Sequence, residues 1–344
     1  MNKKNVALAL SSGGPRGFAY IGAIEELEAR GYRITSVAGS SVGSLVGGIY
    51  AAGGLSDFKE WLYSLDKWNV YSLMDLAISK NHFVKGDKII RAMQEVVPDV
   101  NIEDMNIPYR AIATDLYTGE EVVFDKGKLF TAIRASISIP SLFRPVKYGL
   151  STLIDGGIAN CLPVNRVERQ EGDLLVAFDV NDVNVEEIKE ILRREHHAQR
   201  MDEHFHLTKR HEMHELMEEV RGRNDLGLVD RLKYVGSHGL ALVKDIVSYK
   251  KLYDEDMALD YGDTYYGLLE RTFSLQNHRN TALMFQLCPP DILVQMSFDA
   301  YGEIADYAKA QEIAEKGRVL MSEALDRFEE KSEGKDESFI CPYY

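Results

Sequence analysis

Cysteine is scarce in this chain of 344 residues, which contains only Cys161, Cys288 and Cys341. Their spacing includes no pair typical of a disulfide framework and no zinc motif, and such scarcity is usual in a reducing compartment. The apolar residues 6–10 are too few for the hydrophobic region of a signal peptide, and they predict a first strand instead. We therefore expect a cytoplasmic protein.

Basic residues are also in deficit, because 40 Lys and Arg face 54 Asp and Glu and give a formal net charge of −14. A nucleic-acid partner is disfavoured, since phosphate contacts need clustered Lys and Arg. Strong electrostatic attraction to an anionic membrane is disfavoured for the same reason. A transient contact with a membrane surface through a local apolar patch stays compatible with this charge.

Long hydrophobic runs are almost absent, and the nearest approach to one is the uncharged stretch 34–56. It is long enough to cross a bilayer, but its glycines and serines make it a poor span. Within it, GSSVG at residues 39–43 matches G-x-S-x-G, in which a serine sits on a strained strand-to-helix turn. We predict a strand at 34–38 and a helix ending near residues 53–54, with Ser41 presented at the turn between them and with Gly39 and Gly43 letting the two elements approach.

A second glycine-rich turn, SGGPRG at residues 12–17, lies between the strand at 6–10 and a helix predicted at 18–30. The backbone N–H groups of Gly13, Gly14 and Arg16 are candidate donors of an oxyanion hole. Dinucleotide binding is disfavoured, because Ser12 stands where the first glycine belongs and no acidic residue ends the next strand. The alternative to an oxyanion hole is a glycine turn, ending at Gly17, that merely joins the strand to the helix.

The side chain of Arg16 has two interpretations of its own. It guides an anionic headgroup or, as we favour, pairs with a surface carboxylate.

A third motif is Asp155 followed by Gly156 and Gly157, at the end of the apolar residues 153–154. The aspartate is either a cap or turn former, or a carboxylate in a water-poor cleft where desolvation raises its basicity.

The three motifs, in this order, resemble the patatin-like phospholipases. RASISIP at 134–140, FRP at 143–145 and the pattern DGG-xx-N-xx-P at 155–163 resemble that family as well. The likeness covers residues 5–182 and resumes weakly at 268–324. The chain departs from the family at Ser12, where the family more often has glycine, and in a long charged insertion.

The resemblance implies that Ser41 is a nucleophile and Asp155 its general base, with Gly13 and Gly14 binding the oxyanion. It further implies a fatty-acyl ester or phospholipid substrate, no metal and no cofactor. Since Ser41 follows only the second predicted strand, whereas the serine of an ordinary α/β-hydrolase comes after several strands, a dyad is favoured over a triad. Two alternatives stay open: an esterase or thioesterase that uses His238 or His278 as base, and a non-catalytic interaction protein on the same fold.

Strand and helix signals alternate through the first half, with further strands predicted at 109–114, 122–124 and 174–180. This alternation predicts a three-layer α/β/α fold with a mainly parallel central sheet. We divide the chain into a catalytic core at 5–182, a charged helical insertion at 183–265, a C-terminal strand and helices at 266–328, and a mobile tail at 329–344.

The insertion holds seven of the nine histidines. Three of them, His197, His204 and His211, recur every seven residues, so one face of a helix would carry a candidate metal site. The interleaved charges favour a lid or a partner surface, including a contact between copies of the chain.

Overall fold

The computed structural model describes residues 4–73, 86–140, 142–186, 265–302 and 304–332, with scattered positions between 188 and 219. The chain divides into two compact units, one made of Met1–Val183 and Leu269–Tyr344 and the other of Asn184–Leu268. Most of the second unit lies outside the described residues, as do His82, His197, His204 and His238. The lid, metal and subunit-contact hypotheses for the insertion therefore stay predictions.

One sheet contains all eight strands of the described residues, which are β1 Asn5–Leu10, β2 Arg33–Ser40, β3 Tyr109–Asp115, β4 Glu121–Phe124, β5 Val146–Tyr148, β6 Ser151–Asp155, β7 Leu174–Asp182 and β8 Ile292–Ser297. The strands β8, β7, β1, β2 and β3 neighbour one another in that order and run parallel. Antiparallel pairs join β3 to β4, β3 to β6, and β5 to β6. The prediction of a mainly parallel sheet is confirmed.

Eight α-helices in the described residues accompany the sheet: α1 Ala19–Ala29, α2 Val42–Ala51, α3 Leu55–Tyr63, α4 Lys67–Leu73, α5 Asp87–Val96, α6 Leu129–Ser136, α7 Tyr265–Leu287 and α8 Ala310–Ser332. Alternate residues of β1 enter two separate cores, as the pleat of a strand requires. Leu8 joins the larger core with α1, α2 and α8. Ala7 and Ala9 join a smaller core that contains Phe285 of α7. Helices thus lie on both faces of the sheet, and the predicted three-layer class is confirmed.

The uncharged stretch 34–56 folds as most of β2, the whole of α2 and the start of α3. In the described part of the chain, the structure contains no helix with the length and apolar character that crossing a bilayer would require. The rejection of a membrane span for this stretch is confirmed.

The C-terminal helix extends beyond residue 328, the boundary predicted from the sequence. Short 3-10 turns occupy Phe298–Ala300 and Ile304–Lys309, and α8 begins at Ala310. It continues to Ser332, and Glu329 accepts a hydrogen bond from the Tyr32 hydroxyl at 2.8 Å. Residues 329–332 of the predicted tail therefore belong to α8.

Candidate active site

The pairing of β3 brings two distant strand ends together. Residues 111–114 of β3 pair with β4, so β2 and β6 must both use the opposite edge of β3. Ser40, at the end of β2, pairs with Ile112 of β3. Asp155, at the end of β6, pairs with the next residue of β3, Ala113. Because β2 runs parallel and β6 antiparallel to β3, their carboxyl ends meet head to head. This topology places Ser41 beside Asp155.

Ser41 has the backbone conformation of a strained turn. Its φ of 51° and ψ of −123° make it the one non-glycine residue with positive φ in the described ranges. A side chain at Gly39 would collide with the backbone of Gly43, and one at Gly43 would collide with the carbonyl of Leu10. The two glycines therefore allow β2 and α2 to meet at a sharp angle. Strain of this kind recurs where a nucleophile is presented at the top of a sheet.

Ser41 and Asp155 share a short hydrogen bond, from the serine Oγ to the aspartate Oδ2 at 2.6 Å. The other carboxylate oxygen, Oδ1, accepts from the N–H of Gly157 at 2.8 Å. The N–H of Ser41 donates to Ser136 Oγ at 2.9 Å, which fixes the turn to α6. Both members of the pair are buried. The structure thus brings the two residues within direct proton-transfer distance.

Burial makes Asp155 an unusually basic aspartate. Desolvation raises the pKa of its carboxyl from 3.8 to about 6, because the charged form loses hydration in an enclosed site. Hydrogen bonds from Ser41 and from the N–H of Gly157 act in the opposite direction and limit this rise in pKa. A carboxylate with a pKa near 6 is ionised at neutral pH, yet it is a better proton acceptor than an ordinary aspartate.

The glycine-rich turn contains backbone N–H groups that have no acceptor among the described residues. The N–H groups of Gly13 and Gly14 make no hydrogen bond to another described residue. The N–H of Val42, at the start of α2, likewise makes no hydrogen bond to another described residue, and no sequence motif singled it out. Gly14 and Val42 line the same cavity as Ser41. These amides can therefore receive an anion that forms next to the serine hydroxyl.

The side chain of Arg16 is buried rather than at the surface, since it is only 4% exposed. Its guanidinium donates to the carbonyls of Val180 at 2.9 Å and Phe298 at 3.1 Å. A further bond goes to the carbonyl of Tyr301 at 2.5 Å, and the group stacks 4.2 Å from the centre of the Phe298 ring. Arg16 therefore ties the glycine-rich turn to the C-terminal part of the sheet.

A buried polar cluster behind the glycine-rich turn was missed by sequence reasoning. Asn181 of β7 donates through Nδ2 to the carbonyl of Ser12 at 2.6 Å, and Ser12 Oγ lies 3.2 Å from Cys161 Sγ. A side chain at Gly157 would meet Ser12 Oγ at 2.6 Å, so the turn also packs directly on the residues after Asp155. The signal available in the sequence was a polar residue, Asn181, directly after the apolar run at 174–180.

The ester-hydrolase activity implied by the sequence resemblance predicts that Asn181→Ala lowers kcat roughly tenfold while KM changes little. The side chain holds the carbonyl of Ser12, and a buried acceptor left without its donor costs about 1–3 kcal/mol. The turn that carries Gly13 and Gly14 would then be less well ordered when charge develops. Steady-state kinetics together with the thermal midpoint provide the measurement, with the exposed Asn69→Ala as control. A lower midpoint with unchanged kcat would contradict a positioning role.

An apolar cavity of about 70 Å³ opens next to Ser41. Helices α2, α3, α4 and α5 and the segment after α6 contribute its walls, which include Phe18, Leu45, Phe58, Leu62, Met93 and Phe143. Gly14, Ser41 and Tyr307 are the lining residues with polar character near the catalytic pair. A narrow apolar slot that ends at a serine suits a hydrocarbon chain whose ester lies at the hydroxyl.

His238 and His278 are the two histidines considered as alternative bases. His238 lies outside the described residues. Nδ1 of His278 lies 3.9 Å from Asp182, and burial lowers the pKa of its imidazole. The carboxylate beside His278 is thus Asp182, whereas Ser41 contacts Asp155 directly. No cluster of three or more metal-ligating side chains occurs among the residues that the structure describes.

Comparison with known proteins agrees with the sequence resemblance. An NTE family protein of Mycobacterium tuberculosis strain H37Rv, named as uncharacterized, is 45% identical over 176 residues, which cover 51% of this chain and 49% of that protein. A protein of Debaryomyces hansenii named lysophospholipase NTE1 is 30% identical over 193 residues, or 54% of this chain and 12% of its own length. The matched region thus spans about half of the mycobacterial relative.

Among solved structures, VipD from Legionella pneumophila aligns over 94% of this chain and 67% of its own. Its TM-score of 0.40 and sequence identity of 12% are too low to bear on the assignment. The family model named patatin-like phospholipase matches residues 8–167, a range that contains all three motifs of the sequence analysis. This part of the chain is therefore similar to the patatin-like phospholipase family.

Proposed function

We propose that this chain is a serine acyl hydrolase that cleaves fatty-acyl esters of lipids with Ser41 as nucleophile and Asp155 as general base. The observation that carries the proposal is the 2.6 Å hydrogen bond between Ser41 Oγ and Asp155 Oδ2 at the wall of an apolar cavity. The strained turn at Ser41 and the unused amides of Gly13 and Gly14 support it further.

The first half-reaction forms an acyl-enzyme. Asp155 takes the proton of the Ser41 hydroxyl as the oxygen attacks the ester carbonyl. The N–H groups of Gly13 and Gly14, with those of Arg16 and Val42 as further candidates, stabilise the oxyanion of the tetrahedral intermediate. The intermediate collapses when the alcohol leaves with the proton from Asp155, and the acyl group remains on Ser41.

The second half-reaction releases the fatty acid. Asp155 accepts a proton from water, which attacks the acyl carbonyl, and the same amides hold the second oxyanion. Collapse of this intermediate returns the proton to Ser41 Oγ and frees a carboxylic acid. The positive end of α2, which begins at Val42, lowers the cost of negative charge at Ser41 in both steps.

The substrate class that fits best is a lipid with one acyl chain in the slot. A single narrow apolar cavity meets Ser41 in the described part of the molecule, and its walls are hydrocarbon. The yeast relative carries the name lysophospholipase, which denotes an enzyme that acts on phospholipids with one acyl chain. We therefore infer a lysophospholipid or a related monoacyl ester, without a metal or cofactor.

A fluorophosphonate probe tests the proposal directly. The probe should label the wild-type chain at Ser41, as located by mass spectrometry of the labelled peptide. His278→Ala and His238→Ala should label at the wild-type rate, because the proposed base is Asp155. Loss of labelling in a histidine variant would favour the triad esterase, and absence of labelling altogether would favour a non-catalytic interaction protein.

A further inference from the structure

Two neighbouring turns expose an unusual group of apolar side chains. Leu116 and Tyr117 follow β3, and Tyr148 and Leu150 flank the turn between β5 and β6. Tyr117 is 77% exposed and Leu150 is fully exposed. The β5–β6 turn has two residues, with Gly149 at a φ of 58°, so Leu150 stands at the tip. We refer to Leu116, Tyr117, Tyr148 and Leu150 as the hairpin patch.

The hairpin patch lies at the same end of the sheet as the catalytic pair. Ile112 of β3 pairs with Ser40 of β2, and β3 continues past that residue to Asp115. The N–H of Leu116 donates to the carbonyl of Thr152 at 2.8 Å, which holds the two turns side by side. Ser151 precedes Asp155 by four positions along β6, which is roughly 14 Å of strand. The patch therefore projects beyond the carboxyl ends of the parallel strands.

The chain leads directly from the cavity wall to the hairpin patch. Ile139 and Phe143 line the apolar cavity beside Ser41. Strand β5 begins at Val146, three residues beyond Phe143, and the turn with Leu150 follows it. A surface that binds the hairpin patch would thus lie next to one wall of the acyl slot.

The segment that carries Tyr148 and Leu150 differs in charge from the rest of the chain, whereas the turn with Leu116 and Tyr117 is flanked by Asp115 and Glu120. Residues 140–154 contain Arg144 and Lys147 and no acidic residue, in a chain with a net charge of −14. Both cations are exposed. Lys147 Nζ lies 6.0 Å from the centre of the Tyr117 ring, and it also donates to Thr152 Oγ1 at 2.5 Å. Cations beside exposed tyrosine and leucine match the headgroup region of a lipid layer.

We propose that the hairpin patch docks on a phospholipid surface, with Leu150 and Tyr117 entering the headgroup boundary while Arg144 and Lys147 meet phosphate groups. This inference rests on the proposed function, because a lipid hydrolase must meet its substrate at such a surface. The exposed apolar side chains supply most of the affinity, and the two cations add roughly fivefold each on anionic lipid.

The test separates docking from chemistry. Wild type, Leu150→Glu and Leu287→Glu are sedimented with vesicles of phosphatidylcholine and phosphatidylglycerol, and each is assayed on monomeric 4-nitrophenyl butyrate. Leu287, at the end of α7, is 83% exposed and serves as the matched control. We expect Leu150→Glu to weaken vesicle binding about tenfold or more. Its rate on the soluble ester, and both properties of Leu287→Glu, should equal those of wild type.

Several results would overturn the docking surface. These are wild-type protein that does not bind vesicles, a Leu150→Glu variant that binds normally, and equal losses in the two glutamate variants. A wild-type dimer that Leu150→Glu converts to a monomer without changing vesicle binding would assign the patch to a second copy of the chain. Vesicle binding that depends on Leu150, together with no ester hydrolysis by wild type, would support docking and refute the proposed chemistry.

Discussion

Replacement of Ser41 by alanine should lower kcat/KM for ester hydrolysis by roughly four orders of magnitude or more. The substitution removes the hydroxyl that donates to the carboxylate of Asp155, so no acyl-enzyme can form. The amides of Gly13 and Gly14 would remain, and any residual rate would come from water attack on a bound ester. Rates on a soluble chromogenic ester and labelling by the fluorophosphonate probe measure the effect.

Two further serine substitutions make this result interpretable. Ser332→Ala, at the exposed end of α8, should leave the rate unchanged. Ser41→Gly should be as inactive as Ser41→Ala but more stable, because glycine adopts a positive φ without the cost that alanine bears. Activity of Ser41→Ala within tenfold of wild type would contradict the assignment of the nucleophile. Equal stability of the alanine and glycine variants would argue against strain at this turn.

The strand–turn–helix units around the glycine motifs were accessible from sequence, for physical reasons that are local. Strand β1, the turn at Gly13 and helix α1 each have a strong signal within a few residues, and the same holds for β2 and α2. Buried parallel strands read as continuous apolar runs, which is how β7 was predicted. The predicted strands at 6–10, 34–38 and 174–180 all lie within observed strands.

Features that depend on distant partners escaped sequence reasoning. Arg16 was predicted at the surface because it is charged, yet carbonyls from the far end of the chain give its guanidinium a buried site. Asn181 was missed because its partner, the carbonyl of Ser12, lies in the distant turn that follows β1. The three-residue strand β5 carries too few residues for an alternating pattern, so its hairpin with β6 was not predicted.

The meeting of Ser41 and Asp155 is an intermediate case. Their motifs were recognised one by one, but the reason for their contact is the shared edge of β3, where two strands of opposite direction end face to face. No local pattern encodes that arrangement. The order of the motifs pointed to it only through resemblance to a family.

Replacement of Asp155 by asparagine should lower kcat roughly 10²- to 10⁴-fold and remove the acid limb of the pH profile. In the wild type, kcat/KM should rise as pH increases through about 6 and level off above it, because the carboxyl must be ionised to accept the serine proton. Asparagine keeps the shape of the side chain but has no basic oxygen. Initial rates from pH 4.5 to 8, bracketing a pKa near 6, measure both effects.

Asp179 is the decisive control for this pH dependence. Burial raises its pKa to about 6 as well, so the wild-type profile alone does not say which carboxyl titrates. Asp179 lies on β7, where its Oδ1 accepts from the N–H of Asn181 at 2.9 Å rather than from Ser41. Asp179→Asn should therefore keep the acid limb that Asp155→Asn loses. The opposite outcome would move the general base away from Asp155.

The same pKa shift predicts the effect of Asp155→Asn on stability. A carboxyl whose folded-state pKa lies above 3.8 favours the folded protein fully at pH below about 4, and this contribution is lost as pH rises through about 6. At neutral pH the wild type therefore bears the cost of a buried charge, on the order of 1–3 kcal/mol. Asp155→Asn removes that charge, so its thermal midpoint should exceed that of wild type at pH 7 and approach it at pH 4. A midpoint below that of wild type at pH 7 would mean that the hydrogen bonds of the ionised carboxylate outweigh its desolvation.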